Sequence, residues 1–210
     1  MSGGPSGSLL VLFHGVAAFG HDLAPLQEAL EHALPDADAV SPDAPEPFAH
    51  GPGRQWYSQD DISAANRPAR VAEARPAFDA LVEDILESRG FAGRLDRVAL
   101  VGFSQGAIMV LDALASGRWP VAAVVAFSGR LSTPPPLAPS RSTRLLLVHG
   151  GADPVVPPVE SEHAFAVLTK LGVAVEHHVL PGIGHVVAPE GAALAAAFLD
   201  GVLNGPEAVS

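Results

Sequence analysis

Short apolar runs bounded by Gly, Pro or polar residues alternate along the chain with longer segments whose apolar positions recur every three or four residues. That alternation predicts βα units on a mostly parallel sheet with helices on both faces. Residues 9–14, 97–102, 121–128 and 144–149 are apolar almost throughout, as strands covered on both faces must be. Residues 173–180 alternate more and carry His177 and His178 on opposite faces, which predicts a strand nearer the sheet edge; residues 37–41 are a weaker sixth candidate. Between the strands, Leu23, Leu26, Leu30 and Leu34 recur at helical spacing, as do Val71, Phe78, Leu81, Val82, Ile85 and Leu86. Residues 105–116, 159–171 and 189–202 complete the predicted helices. Residues 42–67 and 129–142 are aperiodic and rich in Pro and Gly, and read as loops. Neither an internal repeat nor a linker divides the 210 residues, so a single domain spanning 1–210 is expected, with residues 1–7 and 204–210 frayed.

Composition narrows the function classes. Twelve Lys and Arg against 23 Asp and Glu leave a net charge of −11, and no basic cluster occurs. Nucleic-acid and stable membrane-surface binding both need local positive charge, so neither is expected. The absence of cysteine removes disulfides, thiolate zinc sites and a Cys nucleophile. The start of the chain lacks a positive n-region, and the apolar runs 121–127 and 145–148 are far too short to span a bilayer. A soluble, cytoplasmic protein is the expectation.

Gly102-Phe103-Ser104-Gln105-Gly106 is a G-x-S-x-G pentapeptide. The bare pattern is a weak signal, but here it follows an apolar strand and opens a helical segment, the context of a nucleophile elbow. So sharp a turn strains the Ser backbone and brings neighbouring backbone close, leaving little room for a Cβ at Gly102 or Gly106. A serine hydroxyl needs a base and an orienting acid, which in this architecture follow in the order Ser, Asp, His. Asp153 sits just past the strand 144–149, and His185 lies on the Gly-rich loop past 173–180. Their separations of 49 and 32 residues each accommodate a βα unit and its loops. The alternatives for these three are a serine capping a helix, a turn aspartate before Pro154 with Asp112 as another acid, and any of eight other histidines. An oxyanion hole would take its amides from Gln105, at the start of a helix, and from Val16, in the turn after the first strand. His14 and His149 read as structural histidines. His14, His21, Asp22 and His50 lack a compact ligand spacing, so no metal is expected. The mechanism needs no cofactor.

These segments resemble the small carboxylesterases that group with acyl-protein thioesterases and phospholipase-type carboxylesterases, in the α/β-hydrolase fold. The resemblance runs through LFHGVAAFGHD, SPDAP, GRQWYS, GFSQGAIM, AFSGRL, VHGGADPVVP and GIGHVVAPE, in that order. It implies a triad of Ser104, Asp153 and His185, with Val16 and Gln105 as oxyanion donors. It also implies that Trp56 lies on a loop beside the acyl pocket; Trp56, Tyr57 and Phe19 are the aromatic candidates for lining that pocket, with core packing as the alternative. Ala17 stands where the resemblance leads one to expect Gly, and Phe19 where a small or acidic residue is expected. Larger members of the fold bury their substrates under a cap; here residues 129–142 number only 14 and hold four prolines, too few for a helical cap. The expectation is an open site hydrolysing short-to-medium acyl esters of small molecules. Acyl-thioesterase or lysophospholipase activity would use the same triad, and a non-catalytic ligand-binding protein is the remote alternative. Monomer and homodimer both remain open.

Overall fold

The computed structural model describes residues 7–205. In chain order the strands are β1 (Ser8–Phe13), β2 (Ala37–Val40), β3 (Glu46–Pro47), β4 (Arg54–Gln55), β5 (Val98–Phe103), β6 (Ala123–Phe127), β7 (Arg144–Gly150) and β8 (Val175–Leu180). The helices are α1 (Ala24–Ala33), α2 (Arg67–Ser88), α3 (Gln105–Ala115), α4 (Val159–Lys170) and α5 (Pro189–Leu203). Six strands form one sheet in the order β2-β1-β5-β6-β7-β8, and each adjacent pair is parallel. This is the α/β arrangement the apolar runs predict, with boundaries displaced by one or two residues at most strand and helix ends. The weak candidate at 37–41 is an edge strand, and β8 is the opposite edge.

The apolar strands are buried because both faces are covered. Leu9, Val11 and Phe13 of β1 point into a cluster with Val71, Phe78, Val82 and Ile85 of α2 and with α3. Leu10 and Leu12, on the other face, pack with Leu26 and Leu30 of α1 and Leu199 of α5. Every residue of α3 is buried. That includes Asp112, a rival acid in the sequence reading, which is held instead in ion pairs 2.8 Å from both Arg75 and Arg118. Burial alone would raise its pKa and is the largest single influence, but the two guanidinium groups outweigh it and hold the carboxyl below its usual range.

The chain leaves β1 for β2 on one side and returns to β5 on the other, so the strand order reverses between β1 and β5. Ligands of open α/β sheets bind at the carboxyl ends of strands at such a reversal. Two connections shape this edge. Within residues 42–67, expected to be loop, β3 and β4 form an antiparallel ribbon. It is laced to the turn after β1 by the Ala17 amide donating to the Arg54 carbonyl (2.9 Å) and the Arg54 amide to the Ala18 carbonyl (2.8 Å). The β6–β7 connection contains no helix. Its Ala138 and Ser140 amides donate to the carbonyls of Ala115 and Leu114, so it runs down to the far end of α3 instead of across the carboxyl edge. Of the ends expected to fray, residues 1–6 and 206–210 lie outside the described residues. Gly7 accepts a hydrogen bond from Arg97, and the Asn204 amide donates to Asp200.

Candidate active site

Ser104 joins β5 to α3 with φ 53° and ψ −114°, a left-handed conformation that L-residues avoid. The surroundings enforce it. The Ser104 amide donates to the Phe127 carbonyl of β6 at 2.9 Å, and α3 approaches β1 so closely that a Cβ on Gly106 would lie 2.1 Å from the Phe13 carbonyl oxygen. The strain aims the hydroxyl off the carboxyl end of the sheet.

The structure brings Ser104, His185 and Asp153 together. His185 Nε2 lies 2.9 Å from Ser104 Oγ, and His185 Nδ1 lies 2.7 Å from Asp153 Oδ2. A neutral ring protonated on Nδ1 satisfies both contacts, donating to the carboxylate and accepting from the hydroxyl. The loops that carry His185 and Asp153 are tied to each other. The Gly151 amide donates to the Leu180 carbonyl (2.7 Å) and the Ala152 amide to the Ile183 carbonyl (2.8 Å). Asp153 Oδ1 is occupied by the amides of Val155 (2.8 Å) and Val156 (2.9 Å), which leaves Oδ2 for the histidine. Burial pushes the Asp153 carboxyl up, and this is the largest single influence. The hydrogen bonds from His185, Val156 and Val155 together outweigh it, so the group stays ionised below the usual carboxylate range.

Val16 and Gln105 flank the same serine. Gln105 is the first residue of α3, so its amide has no intrahelical acceptor. Val16 follows Gly15, where an added Cβ would lie 3.3 Å from the Ser104 Cβ. Both amides therefore lie in segments bordering Ser104. The Gln105 side chain has a second role that its place in an apolar helix gave no means of foreseeing. Its Oε1 accepts from the Trp56 amide, and its Nε2 donates to the Tyr57 carbonyl, both at 2.8 Å.

An apolar groove of about 910 Å³ opens at Ser104 and His185 and runs between α1 and α5. Leu26 and Ala29 of α1 and Ala192, Ala193 and Ala196 of α5 line it, with Val155 and Val186 at the rim, 61% and 57% exposed. Phe19 and Trp56, expected beside the acyl pocket, do not line this groove. Trp56 is 1% exposed. Its ring packs on Phe13 and Phe78, and its Nε1 donates to the His14 carbonyl at 2.8 Å, so it supports the turn after β1 from below. Phe19 stacks on His21, and its amide is taken by Asp22. The small alanines facing across from α1 and α5 carry no distinctive sequence signal, because helix–helix contacts use the same residues. His14 is structural: its Nε2 accepts from the Ala44 amide at 2.9 Å and its Nδ1 meets the Gly15 carbonyl at 2.6 Å. Burial, the largest influence, lowers its pKa. His50 pairs with Asp60. Among the described residues no helix is long and apolar enough to cross a membrane.

Comparison with known proteins gives the family and the fold. The family model described as phospholipase/carboxylesterase matches residues 2–203. Esterase YpfH of Escherichia coli K12 is 35% identical over 183 residues, covering 87% of this chain and 78% of that protein. Acyl-protein thioesterase 1 of Neurospora crassa is 25% identical over 193 residues, covering 84% and 79%. Among solved structures, esterase PE8 superposes with a TM-score of 0.82 at 33% identity, covering 94% of each chain.

Proposed function

The chain belongs to the phospholipase/carboxylesterase family and is an ester-hydrolysing enzyme; on that premise we propose that it is a serine carboxylesterase cleaving short-to-medium acyl esters through Ser104, His185 and Asp153. The observation that carries this reading is the unbroken hydrogen-bond chain from Ser104 Oγ through His185 to Asp153. His185 Nε2 takes the hydroxyl proton as Ser104 Oγ attacks the ester carbonyl carbon. The amides of Val16 and Gln105 receive the oxyanion, aided by the positive end of α3. Asp153, ionised and bonded to Nδ1, holds the ring's tautomer and stabilises the imidazolium. Collapse of the tetrahedral intermediate expels the alcohol, which takes its proton from His185, and leaves an acyl-Ser104 ester. Water, deprotonated by the same histidine, then releases the carboxylic acid and restores the hydroxyl.

The groove between α1 and α5 supports the choice of substrate. It starts at the nucleophile and is apolar, with partly exposed walls, so it suits a hydrocarbon chain of modest length better than a long free lipid that needs complete enclosure. Thioester cleavage is the second reading, favoured by the similarity to an acyl-protein thioesterase; the same acyl-enzyme would form.

The test is hydrolysis of p-nitrophenyl esters of increasing acyl length beside the matching thioesters, with Ser104→Ala as control. The expected result is an optimum at short-to-medium acyl chains and a loss in kcat on the order of a million-fold in the variant. Equal rates in wild type and variant, or a wild type whose Ser104 a fluorophosphonate does not label, would overturn the reading.

A further inference from the structure

The mechanism uses one histidine, yet a second one touches its machinery. His149, in β7, has a fully buried side chain. Its Nε2 lies 2.8 Å from the Val156 carbonyl oxygen and 3.5 Å from Asp153 Oδ2, the oxygen that also meets His185 Nδ1 at 2.7 Å. Its Nδ1 is buried without a partner. A carbonyl accepts only from a protonated nitrogen, so the Val156 contact places the ring's proton on Nε2. A proton on Nδ1 would be a buried donor with nothing to donate to, and burying it would cost more than leaving the lone pair bare. The geometry therefore favours the Nε2–H tautomer of the ring.

Its partner is not an arbitrary carbonyl. Val156 supplies one of the two amides that occupy Asp153 Oδ1, and the turn 153–156 supplies both. Those amides determine which carboxylate oxygen is left for His185. If the turn rotates, Oδ1 loses its donors and Oδ2 its aim at Nδ1.

We propose that His149 is a positioning residue for the Asp153–His185 pair, holding the turn 153–156 through the Val156 carbonyl so that Asp153 presents Oδ2 to the catalytic base. The proposal rests on the triad reading above. It separates a histidine that serves the reaction from one that only fills the core.

The test compares wild type, His149→Leu, which keeps the bulk and removes the donor, and His149→Gln, which restores an N–H at similar reach. For His149→Leu the expected result is a fall in kcat of about ten- to a hundredfold, with KM within twofold. The acidic limb of the kcat/KM profile moves to lower pH, because a misaimed carboxylate stabilises the imidazolium less. The strongly deshielded Nδ1 proton of His185 moves upfield in the proton NMR spectrum. His149→Gln recovers most of all three. A Leu variant that loses only Tm, with pH profile and NMR signal unchanged, overturns the proposal. So does a ¹⁵N-histidine spectrum of the wild type that places the His149 proton on Nδ1, a measurement that stands even if the Leu variant fails to fold. Failure of the triad reading looks different: Ser104 then resists fluorophosphonate labelling in the wild type, whatever the tautomer of His149.

Discussion

Ala17 and Ser104, on the two segments proposed to supply the oxyanion amides, both have positive φ, 61° and 53°. For a residue with a Cβ that conformation costs about 1–2 kcal/mol. At Ser104 the cost accompanies the turn that presents its hydroxyl to His185. At Ala17 it accompanies a fixed turn, since the amide is bonded to the Arg54 carbonyl of the ribbon. The Ala17→Gly variant relieves the strain but adds freedom to the unfolded chain, a term of about 0.4–1 kcal/mol. The expected net gain is about 0.5 kcal/mol, or 1–2 °C in Tm by calorimetry for a chain of about this length. A lower Tm would show that the methyl group contributes more packing than strain. The same position shows what sequence can reveal at this scale. Ala17 departs from the expected Gly and could be flagged without a structure, and Ser104, Asp153 and His185 could be chosen because strand ends and chain order restrict them. Trp56 and Phe19 were legible only as aromatics near a site. Trp56 is placed by the Gln105 amide group, 49 residues away in sequence, and no local pattern encodes such a partner.

The elements were legible where periodicity is strong, because a parallel strand covered on both faces has to be apolar and a helix lying on it has to carry a stripe. The ribbon β3–β4 was not, since two-residue strands leave no period to detect. Nor was the contact between the loops after β7 and β8, where Gly150 matters: a Cβ there would lie 2.2 Å from the Gly184 carbonyl oxygen. The groove also belongs to this scale, because it exists only where α1 meets α5. If it holds the acyl chain, its depth is set by alanines. The Ala29→Phe variant changes an exposed residue of the groove wall, so folding should survive. A phenyl ring that displaces three methylenes of substrate costs about 2.4 kcal/mol at 0.8 kcal/mol per buried CH₂, roughly fifty-fold in kcat/KM. The expected profile across p-nitrophenyl esters keeps the acetate rate and loses that factor for the longer chains. A uniform loss at every length would place the acyl chain elsewhere.

At the scale of the whole molecule, one open sheet edge and a surplus of negative charge act on the same question, namely how substrate arrives. The β6–β7 connection, where a cap would be inserted, is fastened to the far end of α3 by Ala138 and Ser140. Val155 and Val186 remain exposed at the rim of the groove. Nothing in these positions needs to open for an ester to reach Ser104, so an oil–water interface has no closed state to relieve. The formal charge of −11 works against residence on anionic surfaces, which attract segments of positive charge. Both features predict that activity follows the concentration of dissolved substrate. With tributyrin, or another ester whose solubility limit falls in the working range, the rate should rise hyperbolically and level off as the limit is passed. Anionic vesicles added to the assay should leave it unchanged. An upward break at the solubility limit would mean that a segment closes over the groove in solution and that contact with an interface moves it aside.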